Sequence, residues 1–143
     1  MTHKSFFENV LRDNKKFLTT QRIFILETVE QLNSHPTAEE VYIAVKRRMP
    51  KISLGTIYRN LQVLEELGFV EKLNIKLQTE ARYEIKKEPH YHIICTRCLA
   101  IEDLGNFRSV SLEPNAQKMS GFETSGHDVT IYGLCPKCQN QFS

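Results

Sequence analysis

The sequence predicts an α+β fold in two parts, and three observations predict it. Up to Gly68, apolar residues recur at helical spacing behind Ser and Thr residues suited to cap helices. After Gly68 the pattern shifts to short alternating segments of strand type. Two Cys-x-x-Cys pairs, Cys95/Cys98 and Cys135/Cys138, bracket most of the second part.

The first helix is "TTQRIFILETVEQL", with Thr19 or Thr20 as cap and Ile23, Phe24, Leu26 and Val29 at helical spacing. In "HPTAEEVYIAVKRRMP", Thr37 can cap and Glu40 follows three residues later, as in a capping box. Val41, Ala44 and Val45 form its apolar stripe, and Pro50 closes the segment. The third helix is "SLGTIYRNLQVLEELG", between a Ser53 cap and a Gly68 stop. Its expected buried face is Ile57, Leu61, Leu64 and Leu67, which turns Thr56, Tyr58, Arg59 and Gln62 outward. "FVEKLNIKL" and "ARYEIKK", separated by "QTE", then predict a hairpin.

Three helices and a hairpin in this order are the plan of a winged helix-turn-helix domain, whose third helix enters the DNA major groove. The same order also suits a small helical domain carrying an unrelated hairpin. Outward Tyr58 and Arg59, with Lys15, Lys16, Arg22, Lys46, Arg47, Arg48 and Lys51 nearby in sequence, favour DNA. Such side chains contact phosphates, and an Arg in the groove can read guanine, although any solvated face also carries basic residues. Lys15, Arg22, Thr56, Tyr58 and Arg59 are the candidate DNA contacts.

In the second part "YHIICT", "AIEDL" and "DVTIYGLC" are candidate strands, with a helix in "SVSLEPNAQKM" that can hold Pro114 in its first turn. Charge and a proline interrupt the pattern between Lys86 and Pro89. The expected division is a winged-helix domain over 1–86 and a small α/β domain over 87–143.

Composition narrows the class without naming a function. At 143 residues the chain suits one domain or two small ones, and 41% hydrophobic with 25% charged residues is ordinary for a soluble protein. A net charge of +2 does not by itself argue for nucleic acid. There is no apolar run of bilayer length, and "MTHKSFFENVLRDNKK" lacks a signal-peptide core, so a cytoplasmic location without membrane association is expected.

In a reducing compartment, two Cys-x-x-Cys pairs hold a metal more readily than they form disulfides. A two-residue spacer lets both thiolates of a pair face one ion, and two pairs complete a tetrahedral zinc site with Zn–S of about 2.3 Å. Four thiolates leave no open position, so the expected role is structural. A redox dithiol explains one pair only; an iron–sulfur cluster and buried free thiols remain as alternatives.

His90 and His92 alternate on a candidate strand and so share a face, and Asp103 lies on the next. Glu84 ends the hairpin and His35 precedes the second helix. Three imidazoles and two carboxylates suit Fe²⁺, Mn²⁺, Co²⁺ or Zn²⁺. Singly, each has an ordinary reading as a turn residue or a surface group, and sequence alone does not bring His35 near His90.

The motif order "TTQR…HPTAEEVY…SLGTIYRNLQVLEELGFV…ARYE…HYHIICTRC…IEDL…IYGLCPKC" resembles the ferric uptake regulator family over nearly the whole chain. The resemblance implies a metal-dependent, homodimeric transcriptional repressor with an N-terminal winged helix and a C-terminal α/β dimerisation domain. It places Cys95, Cys98, Cys135 and Cys138 on the structural zinc ligands. It places His35, Glu84, His90, His92 and Asp103 on a regulatory Fe²⁺ or Mn²⁺ site at the domain hinge. Tyr58 and Arg59 fall on DNA-contacting positions, with Lys15 a backbone contact, and the partner is a palindromic operator in double-stranded DNA.

A further site in iron-sensing members departs from the pattern: Pro89, Tyr91 and Val110 stand at three of its positions and only His127 is kept. That site is expected to be absent. At the two regulatory acids, peroxide-responsive members resemble Asp103 and iron-responsive members resemble Glu84. The expected function is peroxide sensing, with iron-responsive repression as the alternative and zinc- or manganese-sensing as a third. An enzyme is not expected, because no nucleophile or general base appears beyond the ligands. A zinc-stapled interaction module is the remaining rival, separated by whether DNA binding needs the second metal.

Overall fold

The computed structural model describes residues 18–105 and 107–140. Lys15 and Lys16 lie outside these residues. The chain divides into two compact units, Met1–Lys87 and Glu88–Ser143.

The first unit is a winged helix-turn-helix. It contains α1 (Thr20–Leu32), α2 (Ala38–Lys46), α3 (Leu54–Glu66) and an antiparallel pair, β1 (Val70–Leu73) with β2 (Arg82–Ile85). Each helix begins where a hydroxyl satisfies an otherwise orphaned backbone N–H: Thr19 accepts from Arg22, Thr37 from Glu40 and Ser53 from Thr56. At the end of α3, Gly68 takes φ 83°. Its N–H donates to Glu65 at 3.0 Å, and that of Phe69 to Leu64 at 2.8 Å. This is a Schellman turn, with buried Leu64 and Phe69 as its hydrophobic contact.

The core of this unit gathers Leu26 and Val29 of α1, Val41 and Val45 of α2, and Ile57, Leu61 and Leu64 of α3 under Val70 and Ile85. Three details differ from the sequence expectation. Ile25 of α1 is fully buried, whereas Ile23 and Phe24 are half-buried, the latter beneath the Arg48 guanidinium at 3.8 Å. Leu67 is 37% exposed because the Schellman turn diverts the chain and Phe69 takes the inward place. The hairpin strands are shorter than predicted: Ile75 turns into the interior and its carbonyl accepts from Gln78, which takes 74–81 off the ladder.

The second unit has a three-stranded sheet in the order β4-β3-β5, from β3 (His92–Cys95), β4 (Ile101–Asp103) and β5 (Thr130–Gly133). β3 pairs antiparallel with β4 and parallel with β5. Parallel pairing needs a long crossover, supplied by 104–129 with α4 (Leu112–Ser120) inside it. Pro114 sits in the first turn of α4, where its missing N–H costs no helical bond. A short α5 (Pro136–Gln139), which the periodicity does not predict, follows β5. Among the described residues, its buried apolar side chains are Tyr91, Ile94 and Ile101, with Cys95 and Cys138. No helix among the described residues is long and apolar enough to cross a membrane.

Leu61, fully buried in α3, is expected to contribute strongly to the first unit. Leu61→Ala should lower unfolding free energy by about 2–5 kcal/mol in urea titrations followed by circular dichroism.

Candidate metal centres and DNA-facing helix

The four cysteines converge, each ligand atom lying within 4.8 Å of the others. Cys95 ends β3, and the following turn is set by Leu99 at φ 63°, with the Cys95 N–H donating to Ala100 at 2.9 Å. Backbone N–H groups of Cys98 and Cys135 point at Cys95 Sγ, at 3.5 and 3.4 Å. Cys98 Sγ and Cys135 Sγ stand 3.7 Å apart. Two thiolates on a tetrahedral zinc with bonds of about 2.3 Å would be separated by about 3.8 Å, so this spacing fits the ion.

The electrostatics agree. Backbone N–H groups, chiefly those of Cys135 and Cys98, pull the Cys95 thiol down to about 5. Burial, then the hydrogen bonds of Cys135, Cys95 and Cys98, push Cys138 up to about 12. Crowded thiols that share one site cannot all ionise unaided, and a divalent cation removes that conflict.

In the first unit, His35 occupies the left-handed region at φ 55° although it precedes Pro36. That conformation is uncommon before proline and survives here because the turn is tied to β2. Arg82 Nη1 donates to the His35 carbonyl at 3.1 Å, the Tyr83 N–H donates to that of Pro36 at 2.8 Å, and Thr37 bridges Arg82. His35 Nε2 consequently meets Glu84 Oε2 at 2.9 Å, both side chains 8% exposed. The cross-strand neighbour of Glu84 is another acid, Glu71, an arrangement that favours a cation.

In the second unit, His90, His92 and Asp103 form a triangle. The ladder sets Asp103 opposite His92. The two Nε2 atoms are 3.0 Å apart, and each lies 3.2 Å from Asp103 Oδ1. Because the Glu88 carbonyl can only accept, its 2.9 Å contact makes His90 Nδ1 a donor, so in the neutral ring Nε2 carries the lone pair that a metal would use. Adjacent ligands on a metal at about 2.1 Å stand about 3 Å apart, so the triangle has the shape of a two-His-one-carboxylate facial triad with open positions.

His127 is held by Tyr91 and Glu113. Its Nε2 meets the Tyr91 hydroxyl at 2.5 Å, and that hydroxyl also accepts the Ser109 N–H at 3.0 Å. Glu113 Oε2 lies 3.2 Å from Nδ1, at ion-pair distance but off the hydrogen-bonding direction. Val110 is 90% exposed. Glu113 was not singled out from sequence, and nothing in the spacing could have singled it out.

On α3, Tyr58 is 47% exposed, Arg59 is exposed and Thr56 is half-buried. Arg59 Nη2 donates to Thr56 Oγ1 at 3.1 Å, and the Ser53 hydroxyl meets the same oxygen at 2.9 Å. Burial, then Tyr58 and Glu65, raise the Tyr83 phenol above its ordinary value. Arg22 is half-buried and donates from Nε to Asn60 Oδ1 at 3.1 Å. Of the other predicted cations, Arg48 pairs with Glu27 at 2.9 Å and Lys46 with Tyr42 at 3.0 Å.

A model of the ferric uptake regulator family matches residues 14–132. The chain belongs to the ferric uptake regulator family. It is therefore a metal-dependent transcriptional regulator of a DNA-binding family, not an enzyme. It is 37% identical over 131 residues to the peroxide-responsive repressor PerR of Staphylococcus saprophyticus, covering 92% of this chain and 88% of that one. The Campylobacter jejuni peroxide stress regulator is similar at 32% identity and TM-score 0.68, over 96% of this chain and 100% of that one. The Helicobacter pylori ferric uptake regulator matches at 26% identity and TM-score 0.77, over 100% and 97% of the two chains.

Cys98→Ser is expected to release zinc to a colorimetric chelator and to forfeit most of the metal-coupled folding energy, on the order of 10 kcal/mol. A folded, zinc-free variant by circular dichroism would remove the structural role.

Proposed function

We propose that this chain is a cytoplasmic, homodimeric, peroxide-responsive repressor, with residues 1–86 binding a palindromic operator and 87–143 dimerising. The observation that carries this reading is the His90–His92–Asp103 triangle, whose two imidazoles and one carboxylate suit Fe²⁺ and can be joined by further ligands. The likeness to peroxide-responsive repressors and Asp103 itself support it. Cys95, Cys98, Cys135 and Cys138 would hold structural zinc.

Dimerisation is supported by exposed apolar surface on the second unit. No side chain of α4 is buried, Met119 is 89% and Phe122 75% exposed, and β5 is an outer strand showing Ile131 and Tyr132. The regulatory ion would take His35 and Glu84 from the first unit and His90, His92 and Asp103 from the second. Ligands drawn from both units give the ion differential affinity for one arrangement of the dimer, the one in which both α3 helices match their half-sites. His35, Glu84, His90, His92 and Asp103 would hold Fe²⁺, which would supply the chemistry that activates peroxide; in the net change one peroxide oxygen would enter an imidazole C–H and the other would leave as water. A histidine altered in this way binds the ion poorly, and repression is released.

Glu84 favours a second reading, an iron-responsive repressor, because the longer carboxylate holds the ion with a more adaptable geometry. Mass spectrometry of the Fe²⁺-loaded protein after brief peroxide exposure separates the two. A gain of about 16 Da on His35 or His90 is expected for peroxide sensing. Intact histidines with Fe²⁺-dependent DNA binding retained would establish the iron-responsive reading instead.

Thr56, Tyr58 and Arg59 are the proposed groove contacts, with Lys15 reaching the DNA backbone. Arg59→Ala should weaken operator binding by about 1–3 kcal/mol in gel-shift titrations while metal content stays unchanged.

A further inference from the structure

We infer that Arg22 is a positioning residue that sets α3 for sequence reading through Asn60, rather than a contact to DNA phosphate. The inference rests on the DNA-binding role of α3 proposed above. Arg22 lies in the first turn of α1, where its N–H is capped by Thr19, and its side chain runs to α3. Arg22 Nε donates to Asn60 Oδ1 at 3.1 Å, and Asn60 Nδ2 donates to the Thr56 carbonyl at 3.0 Å. Thr56 Oγ1 in turn accepts from Arg59 Nη2 at 3.1 Å. One line of hydrogen bonds thus connects the start of α1 with the side chains that face the groove.

The chemistry of Asn60 makes the line directional. Its amide accepts at one end and donates at the other, so both ends are used and its plane is fixed. With the amide held, the rotation of α3 about its own axis relative to α1 is held too, and the reach of Arg59 depends on that rotation. Both Arg22 and Asn60 are half-buried, which strengthens the bond, and Nε is engaged by Asn60 Oδ1 rather than offered to phosphate.

Two substitutions separate position from charge. In Arg the Nε atom is bonded to Cδ; in Gln the amide nitrogen occupies that same place. Arg22→Gln therefore keeps the donor and loses the charge, whereas Arg22→Lys keeps the charge and puts a methylene where the donor was.

The test uses the full-length, zinc-containing, Mn²⁺-loaded protein. Its probes are a duplex that the wild type selects from a random pool and an unrelated duplex of equal length, titrated across salt concentrations. Arg22→Gln is expected to keep the ratio of specific to non-specific affinity within about threefold, with the salt slope unchanged. Arg22→Lys is expected to lower that ratio about tenfold, the effect of one charge-assisted hydrogen bond. Asn60→Ala should reproduce the Arg22→Lys loss, and the double variant should lose no more than either alone. If Arg22→Lys does not fold, Asn60→Ala carries the same comparison.

A salt slope lowered by about 0.9 per protomer in Arg22→Gln would make Arg22 a phosphate contact and overturn the inference. So would a selectivity ratio untouched in Arg22→Lys and Asn60→Ala, or lowered equally in all variants. If the wild type selects no sequence, the DNA-binding role of α3 fails and this inference with it. If wild-type selection is intact and only the variants depart from expectation, the Asn60 latch alone fails.

Discussion

The convergence of four cysteine thiols is the constraint on which the second unit depends. Tyr91, Ile94 and Ile101 are its buried apolar side chains among the described residues, apart from Cys95 and Cys138. Hydrophobic burial on that scale does not hold so short a segment folded, and small units of this kind need a covalent or metal staple. The Cys95–Cys98 turn and the start of α5 supply its two ends, bringing Cys135 back to β3. A metal held by these thiols would contribute folding energy rather than decorate a preformed site.

β3 couples that staple to the second metal set. Cys95 lies at one end of the strand and His92 at the other, so whatever holds Cys95 also holds the imidazole. Strand alternation does the rest: His90 and His92 share a face with Asp103 across the ladder, and Tyr91 points away, into contact with His127 and Phe107. A four-thiolate cluster suited to one closed ion and an N/O triangle suited to a different one thereby lie within a few residues of each other.

The first unit solves a related problem with backbone bonds. His35 holds an unfavourable conformation because Arg82 and Tyr83 grip the turn, and the result is an imidazole aimed at Glu84. On α3 the same economy appears: Ser53 caps the helix and also meets Thr56, which receives Arg59. At His35 the strain is held by residues distant in sequence, whereas on α3 the cap and its contacts lie three residues apart.

The N-caps at Thr19, Thr37 and Ser53, the Gly68 stop, the two cysteine pairs and the shared face of His90 and His92 were legible in the sequence. Each depends on spacing within one turn or one strand, where covalent geometry leaves few choices. The inward place of Ile25, the shortened hairpin, the parallel pairing of β3 with β5, the approach of Glu113 to His127 and the Arg22–Asn60 bond were not. Most of these join residues far apart in the chain and so belong to the tertiary structure. Their distances follow from how packed elements are rotated and registered against each other, and no local pattern encodes that.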